Sequence, residues 1–131
     1  MVSVYLSGGM HSGWQDIVKD AIPGVQWFDP REHGLGKADD YTRWDTEAIL
    51  ASEIVFAYLE ESNPSGAGLA YEVGYASASG IHTIFVCEKQ DRYFDIVKSS
   101  SNQCFTSLVA GIEALRKMVN YYEVYFKQNN S

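Results

Sequence analysis

Basic side chains, cysteines and long apolar runs are all scarce in this chain of 131 residues. Ten scattered lysines and arginines stand against 17 acidic residues, and the net charge of −7 argues against binding to a nucleic-acid polymer or an acidic membrane. The two cysteines have neither CxxC nor metal-ligand spacing. No segment has the length of a membrane-spanning helix and no signal peptide is recognisable, so we expect a reduced, cytoplasmic setting.

The chain does contain enough apolar residues for a core, since 46% of them are hydrophobic. We predict one domain over 1–131, with the last few residues as a tail. Apolar runs predict strands at 2–6, 25–28, 54–59 and 81–86. Helical patterns predict helices at about 13–21, 41–52, 68–79 and 106–126. We expect a polar loop at 32–40 and an irregular segment at 88–101, apart from one or two helical turns near 93–97.

Strands that alternate with helices predict an α/β fold with a single doubly wound parallel sheet of about five strands, similar to Rossmann and flavodoxin folds. Helices should cover both faces, and ligands should bind outside the carboxyl ends of the strands. The last helix has more apolar residues than one sheet face needs, among them Met118, Tyr121 and Tyr125. This surplus indicates either a partner subunit or a large aromatic contribution to the domain's own core.

Ser7, Gly8 and Gly9 follow the first predicted strand. Glycines there allow backbone N–H groups to approach a phosphate or a sugar, although a tight turn alone would also need them. The loop has no Walker A lysine and no GxGxxG pattern. The three histidines have no ligand spacing, so we expect no metal site.

The most informative stretch is 63–76, where Glu72 is the one charged side chain. Glu72 follows a strand and lies about one turn into the predicted helix, where the helix dipole favours an ionised carboxylate. It is therefore either a nucleophile at the mouth of an α/β crevice or an ordinary glutamate of a first helical turn.

A second carboxylate, Asp45, shares a predicted helix face with Ile49. That position suits an acid bordering a cleft, and equally an ordinary acid near a helix N-terminus. Because the helices of Asp45 and Glu72 would pack beside the same strand, the two carboxylates could face each other across the crevice. By analogy with glycoside cleavage, one would attack and the other would handle protons or hydroxyls.

Four segments in order along the chain, 4–9, 28–31, 45–55 and 68–76, are similar to the nucleoside 2-deoxyribosyltransferase family, which includes 5′-monophosphate nucleoside N-glycosidases. The last resembles the family signature Gly-x-x-x-Glu-x-Gly-x-Ala, and the resemblance covers about 2–120. It implies that Glu72 is the nucleophile, that Tyr5 orients it and that Asp45 is the catalytic aspartate. We expect the substrate to be bound by Ser7, Gly8, Gly9, Asp29, Pro30, Arg31, Trp44, Ser65, Gly66 and Gly68.

Two positions depart from the family's transferases. Trp44 stands where many of them have an asparagine, and it could stack on a base or only pack. Ser65, Gly66 and Ala67 stand where the transferases carry an acid that binds a sugar hydroxyl, whereas the nucleotide-hydrolysing members are free of acid there. An acid would repel a 5′-phosphate that Ser65 and backbone N–H groups could hold, so the segment favours hydrolysis of a nucleotide.

The sequence therefore predicts cleavage of the N-glycosidic bond of a nucleoside or nucleoside 5′-monophosphate through a covalent glycosyl–Glu72 intermediate, leaning to hydrolysis. The resemblance implies no metal or redox cofactor, and it implies a homodimer or a larger homo-oligomer. The alternatives are base exchange by a deoxyribosyltransferase, and a nucleotide-sensing module without turnover.

Overall fold

The structure is a computed structural model that describes residues 1–129, and the end of the predicted tail, 130–131, lies outside the described residues. Its five strands are β1 Ser3–Gly8, β2 Gln26–Phe28, β3 Ile54–Leu59, β4 His82–Cys87 and β5 Gln103–Phe105. Its five α-helices are α1 Trp14–Ala21, α2 Ala38–Leu50, α3 Ala67–Ala78, α4 Asp95–Ser100 and α5 Leu108–Asn129. Single 3₁₀ turns lie at Pro30–Glu32 and Arg92–Phe94.

The strands form one parallel sheet in the order β2-β1-β3-β4-β5, with both faces covered by helices. On one face, α1 and α5 bury residues such as Trp14 and Leu115 against Phe56 of β3. On the other face, α2 and α3 bury Ile49 and Ala76 against β1 and β3. The predicted doubly wound α/β fold is confirmed, because alternating apolar strands and amphipathic helices leave each sheet face to be covered by helices.

The elements differ from the prediction at the start of α2, at β5 and at the end of α5, which runs to Asn129 and not to 126. Helix α2 begins at Ala38 and not near 41, because two acidic residues, Asp39 and Asp40, occupy the first turn, where the helix dipole favours them. The predicted loop 32–40 is correspondingly shorter. The three-residue strand β5 was not placed from the sequence, since its alternation is too short to detect.

Helix α5 approaches the sheet closely at Gly111. A Cβ atom at this position would overlap the Cγ2 atom of Val86 and lie 3.4 Å from the ring of Phe56. We expect Gly111→Ala to lower the free energy of unfolding by about 1–3 kcal/mol, because the helix must move away from β4. Urea unfolding measures this change. Gly74→Ala on α3 is the control, since its added methyl group meets open space and should be neutral or stabilising by up to about 1 kcal/mol.

The aromatic surplus of α5 is divided between core and surface. Tyr122, Phe126 and Met118 pack against the core, whereas Tyr121 and Tyr125 are exposed by 61% and 49%. The core therefore takes up part of the surplus, and a partner subunit on the exposed part stays a prediction. None of the helices in the described part of the chain is long and apolar enough to cross a membrane.

Candidate active site

A cavity of about 250 Å³ opens at the carboxyl ends of the central strands, on the face covered by α2 and α3. The chain leaves β1 toward β2 on one side and returns to β3 on the other, so this is the switch point at which α/β sheets bind ligands. We call it the Glu72 cavity, and its lining residues are Gly8, Met10, His33, Leu35, Tyr41, Asp45, Gly68, Leu69 and Glu72.

Two hydroxyl groups of β1 hold the carboxylate of Glu72. Tyr5 Oη donates a hydrogen bond of 2.7 Å to Oε2, and Ser7 Oγ donates one of 2.7 Å to Oε1. Tyr5 and Ser7 are two residues apart on a strand, so both side chains leave the sheet on the same face, toward α3. Because each oxygen has its own donor, the orientation of the carboxylate is fixed before any ligand arrives.

The pKa of Glu72 is raised to about 7, chiefly by burial and also by the neighbouring Asp45, against the opposing effect of the Tyr5 and Ser7 hydrogen bonds. The sequence-based expectation that Glu72 is readily ionised by a helix dipole is therefore wrong in direction. Glu72 lies in the second turn of α3, beyond the first turn in which the dipole acts. Desolvation is the larger effect there.

Asp45 lies on α2 across the Glu72 cavity, and burial raises its pKa as well. Its Oδ1 atom is buried and makes no hydrogen bond to any described residue. The Nε2 atom of His33 lies 3.5 Å from Oδ1. Two carboxyls with raised pKa values in one cavity favour a state in which the pair holds a single proton near neutral pH.

His33 is the residue of this site that the sequence did not reveal. Its Nδ1 atom accepts a hydrogen bond of 2.9 Å from the backbone N–H of Leu35, so in the neutral ring the proton is on Nε2 and faces Asp45. A lone histidine in a loop has no spacing signal. The one available clue was its position shortly after the end of β2.

The structure places Asp29, Pro30 and Arg31, the first residues after β2, outside the Glu72 cavity. The side chain of Asp29 is fully buried. It accepts hydrogen bonds from Arg31, and it forms an ion pair with Lys19 at 2.9 Å. These contacts fix the Pro30–Glu32 turn that leads to His33. The contacts of Asp29 and Arg31 support the loop that carries His33. The substrate contacts expected of Asp29, Pro30 and Arg31 stay predictions.

Trp44 packs and does not line the cavity. Its ring lies edge-on to Phe28 at 6.4 Å between centroids and to His33 at 4.8 Å. Of the two readings of Trp44, the packing one describes these contacts, and stacking on a base stays a prediction. This contact and the hydrogen bond from Leu35 together restrict the orientation of the His33 imidazole.

Gly8, the last residue of β1, and Gly9 line two different cavities. Gly8 lines the Glu72 cavity with φ of +152°, and a Cβ atom there would overlap the carbonyl oxygen of Tyr58. The tight turn therefore requires this glycine whatever ligand binds. Gly9 lies in a neighbouring cavity on the α1 side of the strand ends.

The segment before α3 forms the beginning of that helix. Gly66 occupies the N-cap position with φ of +88°, and Ser65 Oγ accepts a hydrogen bond of 3.1 Å from the N–H of Ala67. Gly68 lines the Glu72 cavity beside Leu69. A phosphate contact from Ser65 stays a prediction, since its oxygen already accepts one backbone hydrogen bond.

Comparison with known proteins gives a consistent family. The family model described as "Nucleoside 2-deoxyribosyltransferase" matches residues 11–124, a range that includes Asp45 and Glu72 and begins after Tyr5. A search of curated proteins found no match.

Three solved structures are similar to this chain in fold. A 2-desoxiribosyltransferase from Leishmania mexicana has a TM-score of 0.68 and 17% identity, covering 89% of this chain and 98% of its own. A 2-deoxyribosyltransferase from Bacillus psychrosaccharolyticus has a TM-score of 0.68 and 18% identity, covering 88% and 90%. The CMP N-glycosidase BcmB from Clostridium botulinum has a TM-score of 0.58 and 18% identity, covering 86% and 97%.

Proposed function

The chain belongs to the nucleoside 2-deoxyribosyltransferase family, and we propose that it cleaves the N-glycosidic bond of a nucleoside or nucleoside 5′-monophosphate through a covalent glycosyl–Glu72 intermediate. The observation that carries this proposal is the carboxylate of Glu72, held by Tyr5 and Ser7 in the same cavity as Asp45. A positioned carboxylate with a second acid beside it is the arrangement that glycoside cleavage with retention requires.

In the first step, a carboxylate oxygen of Glu72 attacks C1′ of the sugar. The bond between C1′ and the base nitrogen breaks, and the departing base takes the electron pair. Asp45 donates a proton to the base, and burial raises its pKa, which favours the protonated form that a proton donor needs. Once Asp45 has given up this proton, its carboxylate faces the Nε2–H group of His33.

In the second step, a water molecule gives a proton to Asp45 and attacks C1′ from the face that the base left. The ester bond between C1′ and Glu72 breaks, and the carboxylate returns to its hydrogen bonds with Tyr5 and Ser7. Two inversions at C1′ amount to net retention. Asp45 ends protonated, as it began.

The segment Ser65, Gly66 and Ala67 supports hydrolysis of a 5′-monophosphate, because it brings no carboxylate to the N-terminus of α3. Base exchange is the second candidate, since a base in place of water would complete the same second step. A binding module without turnover is the third. The hydrogen-bonded Glu72 with a pKa near 7 argues against the third, because binding alone does not need a buried carboxylate.

We further propose that the protein works as a homodimer or larger homo-oligomer in the cytoplasm. Tyr121, Val124 and Tyr125 expose apolar surface on α5, which is the kind of surface that a second copy covers. Cys87 and Cys104 are free thiols, which fits a reducing compartment.

Chromatography of free bases tests the proposal. Ribo- and deoxyribonucleosides and their 5′-monophosphates are incubated with the purified protein, with and without an acceptor base. We expect base release from monophosphates without an acceptor; release that needs an acceptor would instead establish base exchange. Mass spectrometry after incubation with a slowly hydrolysed 2′-fluoro substrate analogue should find the sugar attached to Glu72. No release from any substrate would contradict the proposed activity.

A further inference from the structure

The carbonyl group of Gly9 is held by two side chains of α1. Trp14 Nε1 and Gln15 Nε2 each donate a hydrogen bond of 2.9 Å to the Gly9 oxygen. Trp14 is 2% exposed and Gln15 is 1% exposed, so both bonds are shielded from water. We call this pair of bonds the Gly9 clamp. The clamp fixes the peptide bond between Gly9 and Met10, at the point where the chain leaves β1.

Trp14 has a structural role apart from the clamp. Its ring packs against Phe56 and Tyr58 of β3, at 6.1 and 5.4 Å between centroids, in the core on the face that α1 covers. Its indole N–H alone supplies a donor for the buried Gly9 oxygen. The hydrogen bond from Gln15 is therefore not needed to satisfy that oxygen.

Gln15 also carries an unsatisfied group. Its Oε1 atom is buried and accepts no hydrogen bond from any described residue. Turning the amide over would not correct this, because Oε1 would then face the Gly9 oxygen and two acceptors would repel each other. An acceptor buried without a donor disfavours folding. Gln15 thus combines a redundant donor with an unfavourable acceptor, and an apolar side chain of similar size would suit the fold better.

The clamp determines the direction of the next backbone donor. A trans peptide bond is planar, so the carbonyl of Gly9 and the N–H of Met10 point in opposite directions. Because the carbonyl is directed toward α1, the N–H of Met10 is directed away from it. Within residues 1–129 this N–H has no acceptor. Met10 lines the Glu72 cavity and also the neighbouring cavity, so the clamp keeps a free donor at their common border.

We propose that Gln15 is a positioning residue, which acts through the Gly9 carbonyl to hold the Met10 N–H toward the bound substrate. The inference rests on the proposed function, since it assumes a nucleoside or nucleotide whose C1′ atom lies at Glu72. Gln15 lines neither cavity, so it acts through the backbone. Trp14 alone would let the carbonyl rotate about one hydrogen bond, whereas two donors leave it one orientation. The unsatisfied Oε1 atom is a loss of stability accepted for that orientation.

Gln15→Leu tests the proposal, because leucine removes the donor and the unsatisfied acceptor together and favours a helix equally well. We expect the KM of base release to rise at least about fivefold and kcat to change by less than about twofold, since the lost contact is made equally by bound substrate and transition state. We expect Tm to stay unchanged or to rise by a few degrees, because a buried acceptor without a donor is removed. A purely structural glutamine would give a lower Tm and no selective effect on KM.

Gln26→Leu is the matched control. Gln26 begins β2, and its Oε1 atom accepts a hydrogen bond of 2.9 Å from Ser3 Oγ at the opposite end of the sheet. The same substitution there removes a satisfied bond, and we expect it to leave KM unchanged and not to raise Tm. An unchanged KM in Gln15→Leu, or a Tm that falls by more than a few degrees, would overturn the inference.

NMR of the Met10 amide separates this inference from the proposed reaction. Labelling the full chain with ¹⁵N-methionine gives backbone amide signals from Met10 and Met118, since Met1 carries the terminal amino group. Without any substrate, we expect Gln15→Leu to lower the heteronuclear NOE of Met10 and to leave that of Met118 on α5 unchanged. This result would support the clamp even if no substrate were turned over. An unchanged Met10 NOE would refute the clamp whatever the activity, and turnover with an unchanged KM would uphold the reaction and refute the positioning role.

Discussion

Replacing Glu72 by glutamine is expected to abolish base release and, at the same time, to stabilise the folded protein above pH 7. The loss of activity should be about 10³-fold or more, because the amide cannot form the glycosyl ester and a missing nucleophile is among the most damaging changes in an enzyme. The gain in stability has a separate cause. Burial and Asp45 raise the pKa of Glu72 from its ordinary value of 4.5 to about 7, so ionising this group opposes folding.

The pH range follows from the direction of that shift. Below pH 4.5 the carboxyl is protonated in both the folded and the unfolded chain, and it costs nothing. Between pH 4.5 and about 7 the unfolded chain has lost the proton that the folded chain keeps, so stability falls as the pH rises. Above pH 7 the full penalty applies, and at 1.4 kcal/mol per pH unit it amounts to about 3 kcal/mol.

Thermal unfolding as a function of pH measures this effect. We expect Glu72→Gln to raise Tm by about 5–10 °C at pH 8–9 and to leave it unchanged near pH 4.5. Glu47→Gln is the control, because it removes an exposed carboxylate from α2 and reports the general benefit of reducing the negative net charge. Equal Tm changes in the two variants at pH 9 would show that Glu72 is not destabilised by burial.

The fold could be predicted from the sequence because its signals are local. Apolar runs such as 54–59 and the turns that follow them indicate buried parallel strands, and α5 carries its buried residues at helical spacing. The differences arise where local signals are weak. Strand β5 is too short for alternation to show, and the first turn of α2 is stabilised by the acidic residues Asp39 and Asp40 and not marked by an apolar pattern.

The candidate site could be predicted only in part, because some of its features depend on tertiary structure. The family signature drew attention to Glu72, and the structure shows the hydrogen bond from Tyr5 that the resemblance implies. The catalytic roles stay predictions. The direction of the Glu72 pKa shift could not be read from a helix position, since it depends on which elements bury the side chain. His33 meets Asp45 through a loop conformation that no local pattern determines.

Replacing Asp45 by asparagine is expected to reduce kcat by about 10²–10⁴-fold, because the departing base loses its proton donor. The same change should lower the pKa of Glu72, since the negative charge of Asp45 contributes to raising it. The acidic limb of the profile of kcat/KM against pH reports the free enzyme, and it should therefore move to lower pH.

Tyr5→Phe provides the opposing control for Asp45→Asn. It removes the hydroxyl that donates to Glu72 Oε2 and that favours the ionised carboxylate, so the acidic limb should move to higher pH. A structural disturbance of the cavity would lower activity in both variants without shifting the limb in opposite directions. Shifts of the same sign would mean that Asp45 and Tyr5 do not set the ionisation of Glu72. Opposite shifts would show that the hydroxyl of β1 and the carboxylate of α2 together set the pKa of Glu72, one lowering it and the other raising it.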